Sequence, residues 1–212
     1  MDAKTEIKEL DVLVLQGGGA LGAYQAGAFE TLFASGRHTD WVAGVSIGAI
    51  NAALIAGNPA GRRVERLRMF WERVSQATAV FKLPPGFAAR GIFNELSAGT
   101  VMATGVPGFF QPRFPPAFLM PPGSAGATSF YDTAPLRDTL LDLVDFDYLN
   151  DGPTRFSTGA VNVETGNMIW FDSAHDRIGP EHVMASGALP PGFPAVEIDG
   201  QFYWDGGLVS NT

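Results

Sequence analysis

Residues 41–56 read WVAGVSIGAINAALIA, a short apolar run followed at once by a longer one rich in alanine. The first five residues are typical of a β-strand, and the ten after Ser46 are typical of a helix that ends at the breaker Gly57-Asn58-Pro59. Between them, Gly44-Val45-Ser46-Ile47-Gly48 matches the G-x-S-x-G nucleophile elbow, a sharp strand-to-helix turn that exposes a serine hydroxyl. The stretch therefore predicts a strand-turn-helix unit with Ser46 at the turn.

The residues before this unit have the same organisation. Residues 11–16, DVLVLQ, predict a buried strand that ends in Gly17-Gly18-Gly19, and apolar residues at helical spacing run from Ala20 to the breaker Ser35-Gly36. Two consecutive strand-turn-helix units indicate a parallel sheet with helical crossovers. We therefore predict an α/β fold, a three-layer sandwich with a mainly parallel central sheet.

A long segment of different composition follows these units. Residues 81–130 hold eight of the 16 phenylalanines and eight of the 15 prolines, with little periodicity. Long irregular segments in compact domains often serve as lids or binding loops. We expect this insertion to form a lid or an acyl-binding wall over the site, and the alternative is a disordered or merely packed insertion.

Helices and hairpins are predicted on either side of the insertion. An amphipathic helix covers residues 61–78, and another begins at residues 132–135, where a capping residue precedes an early proline. Turns at residues 164–166 and at Asp199-Gly200 are flanked by β-prone runs, which predicts two hairpins. Residues 62–73 carry five of the 14 basic residues. We interpret them as the solvated face of a core-packed helix, with a membrane-facing patch as the alternative.

Composition limits the class of protein. The 212 residues fit one domain, and 46% hydrophobic with 17% charged residues is typical of a folded chain. A net charge of −8 argues against nucleic acid as a partner, because phosphate recognition needs a clustered basic surface. The absence of cysteine excludes disulfides, thiolate metal sites and a cysteine nucleophile. Residues 1–9 lack the apolar core of a secretory signal, so we expect a cytoplasmic protein whose contact with membranes is at most peripheral.

The glycines at residues 17–19 meet a second catalytic requirement. Consecutive glycines let backbone N–H groups point at the carbonyl oxygen that becomes negative in a tetrahedral intermediate, so this loop is a candidate oxyanion hole. With Gly22 the loop also fits the G-x-G-x-x-G dinucleotide fingerprint, which requires a carboxylate about 20 residues further on, at the end of the second strand. Ser46 closes that strand instead, and Asp40 precedes it. The nucleotide interpretation fails at this discriminating position.

A serine nucleophile needs a base. A Ser-His-Asp triad would have to use His38, His175 or His182. No motif surrounds any of the three, so we interpret them as solvated polar residues. Asp205-Gly206-Gly207 follows a predicted strand, and its glycines free the backbone for a close approach of the carboxylate to another segment. These residues alone are also compatible with a simple hairpin exit.

Taken together, these motifs resemble the patatin-like phospholipases, lipid acyl hydrolases that use a serine-aspartate dyad without histidine. Residues 17–22, GGGALG, are similar to the family's oxyanion loop, residues 44–48 to its elbow and residues 205–207 to its catalytic acid motif, in the family's order. Residues 132–136 and 185–190 are similar to further family segments. The resemblance covers nearly the whole chain except the insertion.

The resemblance implies a substrate and a set of site residues. The substrate is a lipid ester, cleaved at the carboxylic ester bonds of phospholipids or related lipids, and no metal or cofactor takes part. The resemblance implies that Ser46 is the nucleophile and Asp205 the base. It also implies four oxyanion donors: Gly17, Gly18, Gly19 and Ile47. Relatives continue with more sheet and helix after the acid motif, so we expect the chain to be incomplete at its C-terminus.

Two alternatives differ in their chemistry. One is a triad esterase that uses His175 or His182 as its base, and the other is a catalytically silent lipid- or nucleotide-binding module. An aspartate acts as a base only if its pKa rises toward the working pH, which burial beside residues 202–204 would achieve.

Overall fold

The two strands predicted near the N-terminus lie side by side in a six-stranded sheet. A computed structural model of the chain describes residues 9–76 and 99–211, so part of the predicted insertion, residues 81–98, lies outside the described residues. In chain order the strands are β1 (Val12–Leu15), β2 (Trp41–Val45), β3 (Gln111–Pro112), β4 (Tyr131–Asp132), β5 (Arg155–Asn162), β6 (Met168–Asp172), β7 (Val196–Ile198) and β8 (Gln201–Asp205). The α-helices with both ends described are α1 (Gly22–Ala34), α2 (Ile47–Ala56), α3 (Arg63–Ser75), α4 (Ala134–Leu143), α5 (Phe146–Asp151) and α6 (Pro180–Ser186), and residues 99–104 are also helical.

The central part of the sheet is parallel. β1 pairs with β2 and β2 pairs with β5, with Val12, Trp41 and Arg155 in one lateral row. Antiparallel strands extend this core, because β6 pairs with β5, and β8 pairs with both β5 and β7. The predicted α/β class, with a parallel central sheet and helical crossovers, is confirmed. Both predicted hairpins are also present, as β5-β6 and β7-β8.

The helices pack against one face of the sheet. Every residue of α2 is buried, and Val42 and Phe156 of the sheet share one hydrophobic core with Phe70 of α3. On the opposite face, Val14 and Trp170 are about half exposed to solvent. The described residues therefore form the sheet and one of the two helical layers expected for a three-layer sandwich.

The arginines of α3 are largely engaged within the chain. Arg63 is buried and donates to the backbone carbonyl of Asn58, so the expectation of a solvated side chain is wrong at this position. Arg68 and Arg73 form ion pairs with carboxylates of α1 and α4. These pairs neutralise part of the basic patch considered for membrane contact. None of the described helices is long and apolar enough to cross a bilayer.

The turn between β2 and α2 brings the helix unusually close to the neighbouring backbone. A Cβ atom at Gly48 would overlap the carbonyl oxygen of Leu15 in β1, and a Cβ atom at Gly44 would overlap the carbonyl oxygen of Gly48. The obstructing atoms belong to the backbone, so they cannot rotate aside as the end of a flexible side chain could. The glycines of the pentapeptide are therefore required by the packing of α2 on the sheet.

We expect Gly48→Ala to lower the free energy of unfolding by about 1–3 kcal/mol or more. A loss of that size is typical of an overpacked core. The matched control is Gly27→Ala in α1, where an added Cβ would meet no atom within 4 Å. That exposed helical position should gain about 0.5–1 kcal/mol from the better helix propensity of alanine. Denaturant titration followed by circular dichroism measures both values, and equal stability of the two variants would contradict the packing argument.

Candidate active site

Ser46 occupies the turn between β2 and α2 in a strained backbone conformation. Its φ of 56° is positive, which is rare for a residue with a side chain, and such strain persists at functional sites where surrounding structure holds it. In this conformation Ser46 Oγ donates a hydrogen bond of 2.7 Å to Asp205 Oδ2. The structure thus brings together the two residues that the sequence singles out, although 159 positions separate them.

The register of β5 explains why these two side chains meet. β2 pairs with the first part of β5, where Val45 lies opposite Gly159, and β8 pairs with the last part, where Asp205 lies opposite Ala160. β6 occupies the other edge of β5 over the same residues. β2 and β8 therefore share one edge of β5 and end toward each other at adjacent positions.

Asp205 is buried and fully engaged. The residue is only 4% exposed, and its Oδ1 accepts a hydrogen bond of 2.8 Å from the Gly207 N–H. Burial raises the pKa of the Asp205 carboxyl above its ordinary value, and the hydrogen bonds from Ser46 and Gly207 offset part of that rise. A carboxylate with a raised pKa is a stronger proton acceptor, as a general base must be.

Ser186, at the end of α6, holds the backbone of Ser46. Its hydroxyl accepts a hydrogen bond of 2.9 Å from the Ser46 N–H and donates one of 2.6 Å to the Gly159 carbonyl. Ser186 is 0% exposed, so water cannot substitute for either bond. This role was not predicted from the sequence. Ser186 lies within one of the family-like segments, but nothing in its neighbours distinguishes a bridging serine from an ordinary buried one.

The first residue of the glycine loop is hydrogen-bonded to the C-terminal end of the described chain. The Gly17 N–H donates to the Asn211 carbonyl at 3.2 Å, and Asn211 Nδ2 donates back to the Gly17 carbonyl at 3.3 Å. Gly17 is therefore not an oxyanion donor in this arrangement, because its N–H is already bonded. Gly18, Gly19 and Ile47 all line the cavity next to Ser46.

A network of amide side chains supports the same loop. Asn51, in α2, donates through Nδ2 to the Gly22 carbonyl and to Gln25 Oε1, both at 3.0 Å. Gln25 Nε2 donates in turn to the Gln16 carbonyl at 2.7 Å, and Trp71 Nε1 donates to Asn51 Oδ1 at 3.0 Å. The strand end before the glycines and the helix after them are thereby tied to α2, which also carries the elbow.

A cavity of about 820 Å³ opens beside Ser46. Its side-chain lining is mainly aliphatic and aromatic, contributed by α2, α3, the insertion and the loop before β7: Ile50, Phe70, Trp71, Val74, Val101, Val106, Phe109, Phe110, Leu189 and Phe193. Among the described lining residues, Asp205 is the only one that carries a formal charge. Val106, Phe109 and Phe110 of the described part of the insertion line this cavity, and the role of the insertion as a lid or acyl-binding wall stays a prediction.

The three histidines lie away from this cavity. His38 and His175 are exposed, and no histidine is among the described residues that line the cavity. His182 is buried against Phe171, and its Nδ1 accepts a hydrogen bond of 2.9 Å from the Gly179 N–H. The expectation of a solvated residue is therefore wrong for His182, and the side chain is engaged at the start of α6.

Comparison with known proteins places the chain in a family. The family model for patatin-like phospholipase matches residues 13–212. The structure of VipD from Legionella pneumophila matches with a TM-score of 0.50 and 16% identity, over 97% of this chain and 47% of that one. The type III effector protein ExoU matches with a TM-score of 0.38 and 16% identity, over 90% of this chain and 43% of that one. No curated protein matches the chain significantly. The chain spans about half the length of these solved structures, and the similarity to VipD concerns the fold.

We expect Ser186→Ala to destabilise the protein, because it leaves the Ser46 N–H and the Gly159 carbonyl without a partner. An unpaired buried polar group costs about 1–3 kcal/mol, and the free energy of unfolding should fall by that order. Ser35→Ala is the matched control, since the Ser35 hydroxyl bonds the Leu32 carbonyl at the exposed end of α1. Its effect should stay within about 0.5 kcal/mol. Equal losses in the two variants, measured by denaturant titration, would contradict a bridging role for Ser186.

Proposed function

Because the chain belongs to the patatin-like phospholipase family, we propose that it is a lipid acyl hydrolase with Ser46 as nucleophile and Asp205 as general base. The observation that carries the proposal is the 2.7 Å hydrogen bond from Ser46 Oγ to a buried carboxylate beside a large apolar cavity. A nucleophile paired with a base at hydrogen-bond distance is the arrangement that activates a hydroxyl.

The chemistry proceeds in two steps. As Ser46 Oγ attacks the ester carbonyl, its proton passes to Asp205 Oδ2, and collapse of the tetrahedral intermediate breaks the ester bond while the protonated Asp205 returns that proton to the leaving alcohol. Water then attacks the acyl group on Ser46, giving its proton to Asp205, which passes it to Ser46 Oγ as the fatty acid leaves. A single carboxylate thus serves as base and as acid in each half of the cycle.

Backbone N–H groups stabilise the negative oxygen of both intermediates. We assign this role to Gly18, Gly19 and Ile47, which lie at the cavity next to Ser46, and the last of them also benefits from the positive end of the α2 dipole. Removing one such donor typically costs about 10²–10³-fold in rate, or about 2.7–4 kcal/mol. Gly17 is left out of this set because of its bond to Asn211.

The lining of the cavity indicates which part of the lipid it accepts. Its apolar wall and its volume suit a long acyl chain, since ligand cavities of this size bury most of a bound molecule against hydrophobic side chains. The described lining contains no lysine or arginine that could pair with a phosphate. We therefore propose that the site selects the acyl chain, and that the headgroup of a phospholipid or related lipid ester stays outside the cavity.

The two alternatives from the sequence have less support. A triad would need an imidazole near Ser46 Oγ, but the histidines lie on the surface or beside Gly179. A silent binding module would have no need of a strained serine bonded to a buried carboxylate. Neither alternative accounts for the meeting of Ser46 and Asp205.

Labelling with a fluorophosphonate tests the proposed roles directly. Ser46→Ala should form no adduct and hydrolyse no ester, whereas Asp205→Asn should keep its fold and lose about 10²–10⁴ in kcat/KM, the usual contribution of general base catalysis. His175→Ala and His182→Ala are the controls and should retain turnover. Labelling of Ser46→Ala at the wild-type rate would exclude Ser46 as the nucleophile. Loss of activity in a histidine variant with an intact circular dichroism spectrum would favour the triad.

The raised pKa of Asp205 gives the rate a defined dependence on pH. Asp205 must be ionised to accept the Ser46 proton, so kcat/KM should fall as the pH falls through the pKa of Asp205. Because burial raises that pKa, the loss should occur above the pH at which ordinary aspartates, with a pKa of about 3.9, become protonated. The residual activity of Asp205→Asn should lack this limb. A limb that survives in Asp205→Asn but disappears in His182→Ala or His175→Ala would assign the base to a histidine.

A further inference from the structure

The described part of the insertion, residues 99–130, has side chains that line the cavity and side chains that face solvent. Phe109 and Phe110 line the cavity and contact Phe193, with ring centroids 5.9 Å and 5.1 Å away. Phe114, Phe118 and Leu119 are 96%, 81% and 67% exposed. We call these three residues the apolar tip. Phe118 and Leu119 are adjacent and Phe114 lies four residues before Phe118, and large exposed apolar patches usually mark a binding surface.

The apolar tip is attached to the wall of the cavity by regular hydrogen bonds. β3 and β4 pair antiparallel on either side of it, and Arg113 Nε donates to Ser129 Oγ at 2.9 Å across its base. The Phe130 N–H donates a hydrogen bond to the Pro191 carbonyl at 3.1 Å, and the Tyr131 N–H donates one to the Gly192 carbonyl at 2.9 Å. These bonds join the base of the tip to the loop that carries Phe193, so the tip and the cavity wall form one continuous unit.

The charge of this segment differs from that of the rest of the chain. The chain contains 22 acidic residues and has a net charge of −8, yet residues 99–130 include no aspartate or glutamate and one basic residue, Arg113. A carboxylate would be repelled by anionic headgroups and would be costly to bring into the interfacial region. An uncharged segment rich in phenylalanine and proline is suited to that region, where Phe and Leu side chains enter the boundary between headgroups and acyl chains.

From these observations we propose that the apolar tip docks the protein on a lipid surface, with Phe114, Phe118 and Leu119 inserted between the headgroups. The proposal rests on the proposed function, because it supplies the route by which a lipid ester leaves the bilayer and reaches the cavity behind the tip. The partner is a phospholipid bilayer. A second copy of the chain and another protein are the competing occupants that the experiment must separate from it.

The test uses vesicles of phosphatidylcholine and phosphatidylglycerol, with pure phosphatidylcholine vesicles to separate apolar from electrostatic binding. Cosedimentation of the full chain carrying Ser46→Ala measures binding without hydrolysis of the vesicle. Adding Phe114→Ser and Phe118→Ser should lower the vesicle-bound partition coefficient about tenfold or more, since two aromatic side chains no longer enter the interface. Phe202→Ser is the matched control, an exposed phenylalanine in β8, and should leave binding unchanged.

Turnover assays on the chain with an intact Ser46 complete the test. The Phe114→Ser/Phe118→Ser variant should hydrolyse a short, water-soluble ester at the wild-type rate and lose activity on vesicle phospholipid in proportion to its loss of binding. Unchanged vesicle binding in this variant would overturn the proposal. The proposal would also be overturned if the wild-type chain failed to bind vesicles and instead formed a dimer in sedimentation velocity that the Phe114→Ser/Phe118→Ser variant did not form. If the wild-type chain binds vesicles through the tip but hydrolyses neither substrate, the docking proposal stands and the proposed hydrolase function fails.

Discussion

The site depends on one strand, β5, whose single edge receives two others. Val45 at the end of β2 pairs with Gly159, and Asp205 at the end of β8 pairs with the next residue, Ala160. β2 runs parallel to β5 and β8 runs antiparallel to it, so the two strands approach each other end to end along the same edge. Backbone hydrogen bonding alone therefore sets the two strand ends at adjacent positions. A shift of either strand by two residues would preserve its inward and outward faces but separate the serine from the carboxylate.

The same point on β5 also carries the support for the strained turn. The Gly159 carbonyl accepts the bond from Ser186, whose hydroxyl holds the Ser46 N–H, so the elbow is secured from β5 through α6 as well as from β2. A non-glycine residue at positive φ costs of order 1–3 kcal/mol, which only a tightly determined environment maintains. The glycines that let α2 pack against β1 and the fully buried α2 provide that environment. The strain and its compensation are therefore built from different parts of the chain.

This division explains what could be predicted from the sequence. Features fixed by neighbours along the chain were predicted: the strand-to-helix turn at Ser46, the hairpins around Asp199-Gly200 and residues 164–166, and the bounds of α2, which coincide with the apolar run. Features that arise between distant segments were not. The role of Ser186 and the engagement of the Gly17 N–H by Asn211 each depend on a partner more than a hundred residues away, and no local pattern records such a bond. The meeting of Ser46 and Asp205 came from resemblance, because β-strand register cannot be read from either strand alone.

Ionisation of Asp205 lowers the stability of the folded protein, although the proposed mechanism requires the ionised form. Its pKa is raised in the folded state, so the folded protein binds this proton more tightly than the unfolded chain does. The resulting stabilisation is fully present below the ordinary pKa of aspartate and is lost as the pH rises through the raised value. The ionised carboxylate that the proposed mechanism requires is therefore the less stable form of the folded site. Hydrogen bonds from Ser46 and Gly207 reduce this cost without removing it, and the remainder must be met by the packed core around α2 and β5. Pairing of β8 with β5 holds the Asp205 backbone in place, so the carboxylate cannot escape this cost by moving out to water.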